Sequence, residues 1–140
     1  MAVETHRISV NTRGQSQVLD LTERIQESLS QGNVRNGAVT VFVIGSTAAL
    51  TTTEFEPGLV ECDLKAALER IAPEDASYRH ELTWNDDNGH SHVRASLIGP
   101  SLTVPLVDGR LTLGQWQEIV LLDFDTRARR RELVVQVVGE

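Results

Sequence analysis

An Asp-Gly pair, Asp108-Gly109, stands between two apolar segments and is the feature that most constrains the fold. Residues 102–107 precede the pair and residues 111–113 follow it. Asp-Gly readily adopts the positive φ angles of a tight turn that joins two antiparallel strands. The sequence therefore predicts a β-hairpin here, within a sheet that is antiparallel or mixed.

Apolar patterns predict further strands and helices on both sides of this hairpin. Residues 38–44 are almost continuously apolar and rich in β-branched side chains, which is typical of a strand buried on both faces. A helix is predicted from about residue 59 to Ile71, and Pro73 stops it. The other predicted elements are strands at residues 5–10, 49–54, 116–124 and 133–138, a short strand near residues 19–21, a helix capped by Asp20 or Thr22, an irregular segment at residues 76–91, and a helical turn within residues 93–98.

This order of elements predicts a single α+β domain over residues 1–140, with about two main helices. The net charge of −7 opposes a phosphate backbone, so nucleic acid is not expected as a partner. No membrane span is expected, because the longest apolar stretch, residues 39–44, is far shorter than the roughly 18 residues required. The single cysteine, Cys62, fits a reducing cytoplasm and is expected to be a small buried apolar residue.

Three of the four histidines, His80, His90 and His92, lie close together in sequence beside Asn88. In an extended segment His90 and His92 project to the same side, because side chains alternate along a strand. Two imidazoles with a third from a nearby loop make the ligand count of a catalytic zinc site, and Glu54 is a candidate carboxylate. The alternative is that the histidines only hydrogen-bond loop backbone, and the two rings diverge if the segment is helical.

Four arginines form a basic cluster inside this acidic chain: Arg127, Arg129, Arg130 and Arg131. Guanidinium groups bind phosphate through paired hydrogen bonds, so the cluster is a candidate contact for a phosphorylated small molecule, with Arg127 and Arg129 as the expected residues. The alternative is a solvated turn in which the arginines pair with nearby carboxylates.

Two longer motifs resemble a known family. Residues 88–101 read NGHSHVRASLIGPS, and residues 109–117 read GRLTLGQWQ. Together with Glu54 and the segment 46–50, they resemble the YjbQ family, which is often labelled secondary thiamine-phosphate synthase. The resemblance runs from about residue 17 to residue 138.

The resemblance implies a single α+β domain that assembles as a homo-oligomer, most simply a trimer. It implies a pocket that gathers His80, His90 and His92 with Glu54 and Asn88. Catalytic roles then fall to His80, Glu54 and Asn88, and the three histidines hold a divalent metal, Zn or Mg. The implied transferase activity joins hydroxymethylpyrimidine diphosphate to thiazole phosphate, giving thiamine phosphate and diphosphate.

The chain also departs from the family pattern. Gly45 stands where many members have a histidine, and Thr53 where many have an asparagine. A missing ligand predicts weaker metal binding, which Gly45→His restores unless the backbone requires a positive φ. Two other functions therefore stay open: a metal-assisted hydrolase, and a non-catalytic oligomer that binds a metal or metabolite.

Overall fold

Two antiparallel sheets and four α-helices make up the computed structural model, which describes residues 1–140. The elements in chain order are β1 (Ala2–Thr12), β2 (Gln17–Asp20), α1 (Thr22–Ser30), β3 (Gly37–Ile44), β4 (Ala48–Thr53), a π-helical segment (Gly58–Asp63), α2 (Leu64–Ile71), α3 (Arg79–Trp84), α4 (Gly89–Ile98), β5 (Ser101–Val107), β6 (Arg110–Leu111), β7 (Glu118–Asp123) and β8 (Arg129–Gly139). The α+β class predicted from the sequence is confirmed.

The larger sheet, sheet A, has the strand order β1-β8-β3-β5-β6, and the smaller, sheet B, has the order β2-β7-β4. The predicted hairpin is present, with Val107 paired to Arg110 and with φ angles of 51° at Asp108 and 80° at Gly109. Every neighbouring pair of strands in both sheets is antiparallel. The turn chemistry of two residues thus correctly predicts how this part of sheet A is connected.

The core has two parts that lie on opposite faces of sheet B. The main cluster contains 17 buried residues from sheet A, sheet B and α1. The second cluster packs Leu68 of α2 and Ala95 of α4 against the other face of sheet B, beside Phe124. Sheet B is therefore a middle layer, and the second cluster fixes α2 and α4 next to the end of β7.

The prediction that residues 38–44 are buried on both faces is wrong. Along β3 the valines Val39, Val41 and Val43 are buried, whereas Phe42 and Ile44 are exposed. The strand that is buried on both faces is β7, because helices cover sheet B whereas nothing in the chain covers the outer face of sheet A. Continuous apolar character therefore identified a strand without identifying which sheet is the middle layer.

The helices are more numerous than the two predicted. The first buries Ile25 and Leu29 as expected, but its N-cap is Leu21 and no side chain caps it. Asp20, one residue earlier, accepts hydrogen bonds from the backbone and hydroxyl of Thr22. The segment expected to be irregular contains α3, and α4 begins at Gly89, earlier than the predicted turn. The helix predicted from residue 59 is π-helical in its first half. None of these helices combines the length and apolar character needed to cross a membrane.

Candidate functional site

The three clustered histidines do not share one pocket, because the segment that carries two of them is helical. His90 and His92 lie in the first turn of α4, where residues two apart point about 200° away from each other. The expectation of an extended segment is therefore wrong, and the divergent alternative is what the structure contains.

His92 meets His80 instead of His90. The ring centroids of His80 and His92 are 4.6 Å apart in an edge-to-face arrangement. Nε2 of His80 also lies 3.2 Å from Oδ1 of the buried Asn88. The structure thus brings together three of the expected site residues and leaves His90 on the other side of the helix.

Glu81 fixes the start of α3 to the start of α4. Its two carboxylate oxygens accept hydrogen bonds from the backbone N–H groups of Tyr78 and Gly89, at 3.1 and 3.0 Å. A Cβ atom at Gly89 would collide with the Tyr78 side chain, so the close approach requires glycine. These contacts set the direction in which His90 leaves the helix.

His90 lines a polar cavity of about 320 Å³, which we call the His90 cavity. His90 is only 3% exposed, and Nδ1 of its imidazole has no hydrogen-bond partner. The one other unpaired buried side-chain atom, Nε2 of His6, belongs to β1 and does not line this cavity. The remaining lining residues are Gln15, Ser16, Lys65, Ala66, Glu69, Glu74, Arg94 and Phe124.

Arg94 is the buried cation of this cavity. Its guanidinium donates to the carbonyl of Ala72 at 3.0 Å, to Oγ of Ser16 at 2.9 Å and to Glu69 at 2.7 Å. Lys65 is in none of the six ion pairs of the structure. The cavity therefore holds one cation that Glu69 neutralises, together with Lys65 and Glu74, neither of which is in an ion pair.

The loop that brings Ser16 to Arg94 has a strained backbone. Gly14, Gln15 and Ser16 all have positive φ angles, of 76°, 58° and 63°. A left-handed conformation costs an L-residue about 1–2 kcal/mol, and such strain concentrates at functional sites. The Arg94 bond and the bond from Gln15 N–H to the Asp125 carbonyl at 2.8 Å hold the loop in place.

The environment of His90 lowers its pKa below the ordinary value of 6.5. Burial is the main cause, and the positive charge of Arg94 acts in the same direction. A lowered pKa leaves the imidazole neutral at neutral pH. His90 therefore presents an uncharged ring with an unpaired nitrogen.

The arginines expected to bind an anion belong to a different network, which we call the Arg131 cluster: Arg131, Asp123, Asp125 and Thr47. Buried Arg131 donates to Asp123 at 2.7 and 2.9 Å and to Thr47 at 2.7 Å. Arg129 contacts Asp125 at 2.9 Å, whereas exposed Arg127 lies 4.0 Å from Asp86. The alternative, in which the arginines pair with nearby carboxylates, holds for Arg129 and Arg131.

Asp125 has a pKa below its ordinary value of 3.8. Burial alone raises the pKa, but hydrogen bonds from the Thr47 hydroxyl, the Thr126 backbone and Arg129 outweigh burial. The carboxylate is consequently ionised and bound throughout the neutral range.

Gly45 adjoins the Arg131 cluster rather than the histidines. Its φ is 133°, a conformation that L side chains rarely adopt, and an added Cβ would lie 2.6 Å from Nη1 of Arg131. The condition attached to Gly45→His, that the backbone should not require a positive φ, is not met.

Glu54 lies apart from the His90 cavity. It is exposed and lines a separate acidic cavity with Asp20, Glu56, Glu118 and the exposed Trp116. The two cavities share no lining residue. Cys62, expected to be buried, is an exposed free thiol, because it lies on the outer side of the π-helical segment.

The residues present do not fit the expected three-histidine metal site. No group of three or more His, Cys, Asp or Glu side chains in the chain is arranged to hold a metal ion. His80 and His92 pair with each other while His90 faces elsewhere, because α4 separates the rings. The chemistry open to this chain's own residues is therefore that of the His90 cavity and its cations.

Sequence analysis missed most residues of this cavity. Ser16, Lys65, Glu69 and Arg94 come from three distant parts of the chain. One local signal existed: Arg94 follows His90 by four residues, and Glu69 follows Lys65 by four, which places each pair on one helix face. For His90 and Arg94 this spacing is informative only if α4 is known to begin at Gly89.

Comparison with known proteins gives a consistent family match. A family model described as "UPF0047 protein YjbQ-like" matches residues 6–140. A UPF0047 protein of Methanothermobacter thermautotrophicus is 36% identical over 140 residues, covering 100% of this chain and 95% of that protein. The UPF0047 protein YjbQ of Salmonella typhimurium is 31% identical over 121 residues, covering 86% of this chain and 87% of that protein.

Solved structures give the same fold. A hypothetical protein from Aeropyrum pernix K1 is 36% identical with a TM-score of 0.90, covering 98% of this chain and 99% of that one. A YbjQ-like protein of unknown function from Sulfolobus solfataricus P2 is 28% identical with a TM-score of 0.89, covering 99% of this chain and 100% of that one.

Proposed function

We propose that this chain, which belongs to the YjbQ-like UPF0047 family, is an enzyme that binds a phosphorylated small molecule in the His90 cavity. The observation that carries the proposal is the buried imidazole of His90, whose Nδ1 is unpaired beside a cavity that contains Lys65 and Arg94. Proteins pair nearly all of their buried polar atoms, so an unpaired one at a cavity supports ligand binding.

The two cations of the cavity have different roles in this proposal. Lys65 has no ion pair and is free to contact a phosphate as a point charge. Arg94 spends three of its N–H groups on protein acceptors and is only 5% exposed, so it contributes mainly a fixed positive charge. Lys65 is the exposed cation of the cavity, and the carboxylate of Glu74 opposes an anion there.

The reaction we propose is the transfer that yields thiamine phosphate. The thiazole nitrogen forms a bond to the methylene carbon of hydroxymethylpyrimidine diphosphate, the carbon–oxygen bond to diphosphate breaks, and its electron pair leaves with diphosphate. Lys65 and Arg94 stabilise the negative charge that develops on the leaving group. No proton transfer is required in the bond-forming step, so His90 is not needed as an acid or a base.

Calorimetry with inorganic diphosphate tests the binding site. We expect Lys65→Met to weaken binding by about tenfold or more, because one positively charged phosphate contact is removed. Arg127→Ala is the matched control, because Arg127 belongs to the alternative arginine site. The Arg127→Ala variant should bind diphosphate as tightly as the native protein does. Equal affinities for native protein and Lys65→Met would contradict the proposed site.

Chromatographic detection of thiamine phosphate, with both substrates present, tests the reaction. Product that depends on native Lys65 supports the transferase. Diphosphate binding without product would favour the second function, a non-catalytic metabolite-binding oligomer, because the unpaired His90 serves binding equally well.

We also propose that the protein is a homotrimer in the cytoplasm. The outer face of sheet A supports assembly, because Phe42, Ile44 and Val138 are exposed there on neighbouring strands. The free thiol of Cys62 supports a reducing compartment. Light scattering should give three times the 15.5 kDa chain mass, and Phe42→Lys should dissociate the trimer. A native protein of 15.5 kDa would contradict assembly.

A further inference from the structure

Ser91 lies between His90 and the end of β7 and is fully buried. Its hydroxyl donates a hydrogen bond to the backbone carbonyl of Phe124. The same oxygen is 3.5 Å from Nε2 of His90. The other ring nitrogen, Nδ1, has no hydrogen-bond partner.

These contacts favour one nitrogen of His90 as the one that carries the proton. A serine hydroxyl has a single hydrogen, and the Phe124 carbonyl takes it, so Ser91 presents only lone pairs to the imidazole. Nε2 must therefore be the protonated nitrogen if its contact with Ser91 is to be favourable. A neutral imidazole has one protonated and one unprotonated nitrogen, which leaves a lone pair on Nδ1.

We infer that Ser91 is a positioning residue that holds His90 in its Nε2–H form and so leaves the lone pair of the ring on the buried Nδ1.

The first experiment measures the tautomer in ligand-free native protein. The protein is labelled with ¹⁵N-histidine, and imidazole nitrogen shifts are recorded well above the pKa of His90. His90→Gln assigns the signal. We expect Nε2 to be protonated and Nδ1 to be unprotonated. A proton on Nδ1 overturns the inference, and this result does not depend on any ligand.

The second experiment removes the hydroxyl. In Ser91→Ala the Nδ1–H form should gain about fivefold in population relative to the Nε2–H form, because one hydrogen bond no longer selects between them. Ser96→Ala is the matched control: Ser96 is on the same helix and its hydroxyl also donates to a backbone carbonyl, that of His92, at 2.7 Å. An unchanged tautomer ratio in Ser91→Ala overturns the role of Ser91.

If Ser91→Ala does not fold, Ser91→Cys replaces it, since a thiol is close in size and a weaker hydrogen-bonding group. The native spectrum also tests the assigned tautomer without any variant. Either route supports the inference or overturns it.

Discussion

The Arg131 cluster and the His90 cavity both bury charged side chains, but they differ in whether their hydrogen bonds are complete. Arg131 donates to Asp123 and Thr47, and Asp123 also accepts bonds from Thr12 and from the Asp125 backbone. The cavity leaves Nδ1 of His90 unpaired. A complete network stabilises the fold, whereas an incomplete one keeps the capacity to bind. The density of arginines in the sequence pointed to the Arg131 cluster. The His90 cavity is recognised only in the structure, from a buried atom that lacks a hydrogen-bond partner.

Asp123→Ala gives the largest expected effect. It leaves the Arg131 guanidinium buried without its main partner, which should lower the free energy of unfolding by about 3–5 kcal/mol. Urea denaturation measures the loss. Arg130→Ala is the control, because that side chain is 71% exposed, and it should change little. A loss below about 1 kcal/mol for Asp123→Ala would show that the Arg131 cluster does not hold the fold together.

Gly45→His should lower the free energy of unfolding by about 1–3 kcal/mol, because it places a Cβ at a φ of 133° and against Arg131. Thermal denaturation compares it with Gly114→His, where a new Cβ meets nothing closer than 3.6 Å. Equal stability of the two variants would mean that the backbone at Gly45 relaxes freely. We expect no gain in metal affinity by calorimetry with Zn²⁺.

His90→Leu should change the free energy of unfolding at neutral pH by no more than about 1 kcal/mol, while abolishing diphosphate binding. The contribution of His90 to the free energy of unfolding of the native protein depends on pH. Because the folded pKa is lowered, the unfolded chain gains a proton as the pH falls below about 6.5 and the native chain does not, so stability is lost toward the folded pKa. Urea denaturation at several pH values should show this loss reduced in the variant. An identical pH dependence would contradict the lowered pKa.

Arg127→Ala gives the smallest expected effect. The side chain is 62% exposed and its nearest carboxylate oxygen, on Asp86, is 4.0 Å away, so stability should change by less than about 0.5 kcal/mol. Diphosphate affinity should stay at the native value. A clear loss of affinity would move the anion site from the His90 cavity to the arginines.

The positions of most strands were predictable from the sequence, but only one strand pairing was. Asp108-Gly109 specified its hairpin, and apolar segments located most strands, because both signals are local. The segment that contains α3 is polar and has no apolar period, so nothing local predicted a helix there. Which strand is covered on both faces depends on distant helices, and for that reason β3 was assigned the burial that belongs to β7.

The candidate site was less predictable than the fold. The sequence drew attention to three clustered histidines, but a helix start misplaced by a few residues turned diverging rings into an apparent ligand set. Arg94 meets Ser16 and Glu69 across long sequence separations, and no local pattern announces such contacts. The sequence therefore indicated the region of the site, and the geometry selected its residues.

The position of β8 has a consequence for how the chain folds. This strand is the last of the chain, yet it lies inside sheet A, where it pairs with β1 from Ala2 opposite Gly139 to Thr12 opposite Arg129, and with β3 on its other side. β1 has no other partner strand, so it can join sheet A only when β8 does, whereas β3, β5 and β6 also pair with one another. Such long-range pairing slows folding and leaves an edge of β3 open until β8 docks.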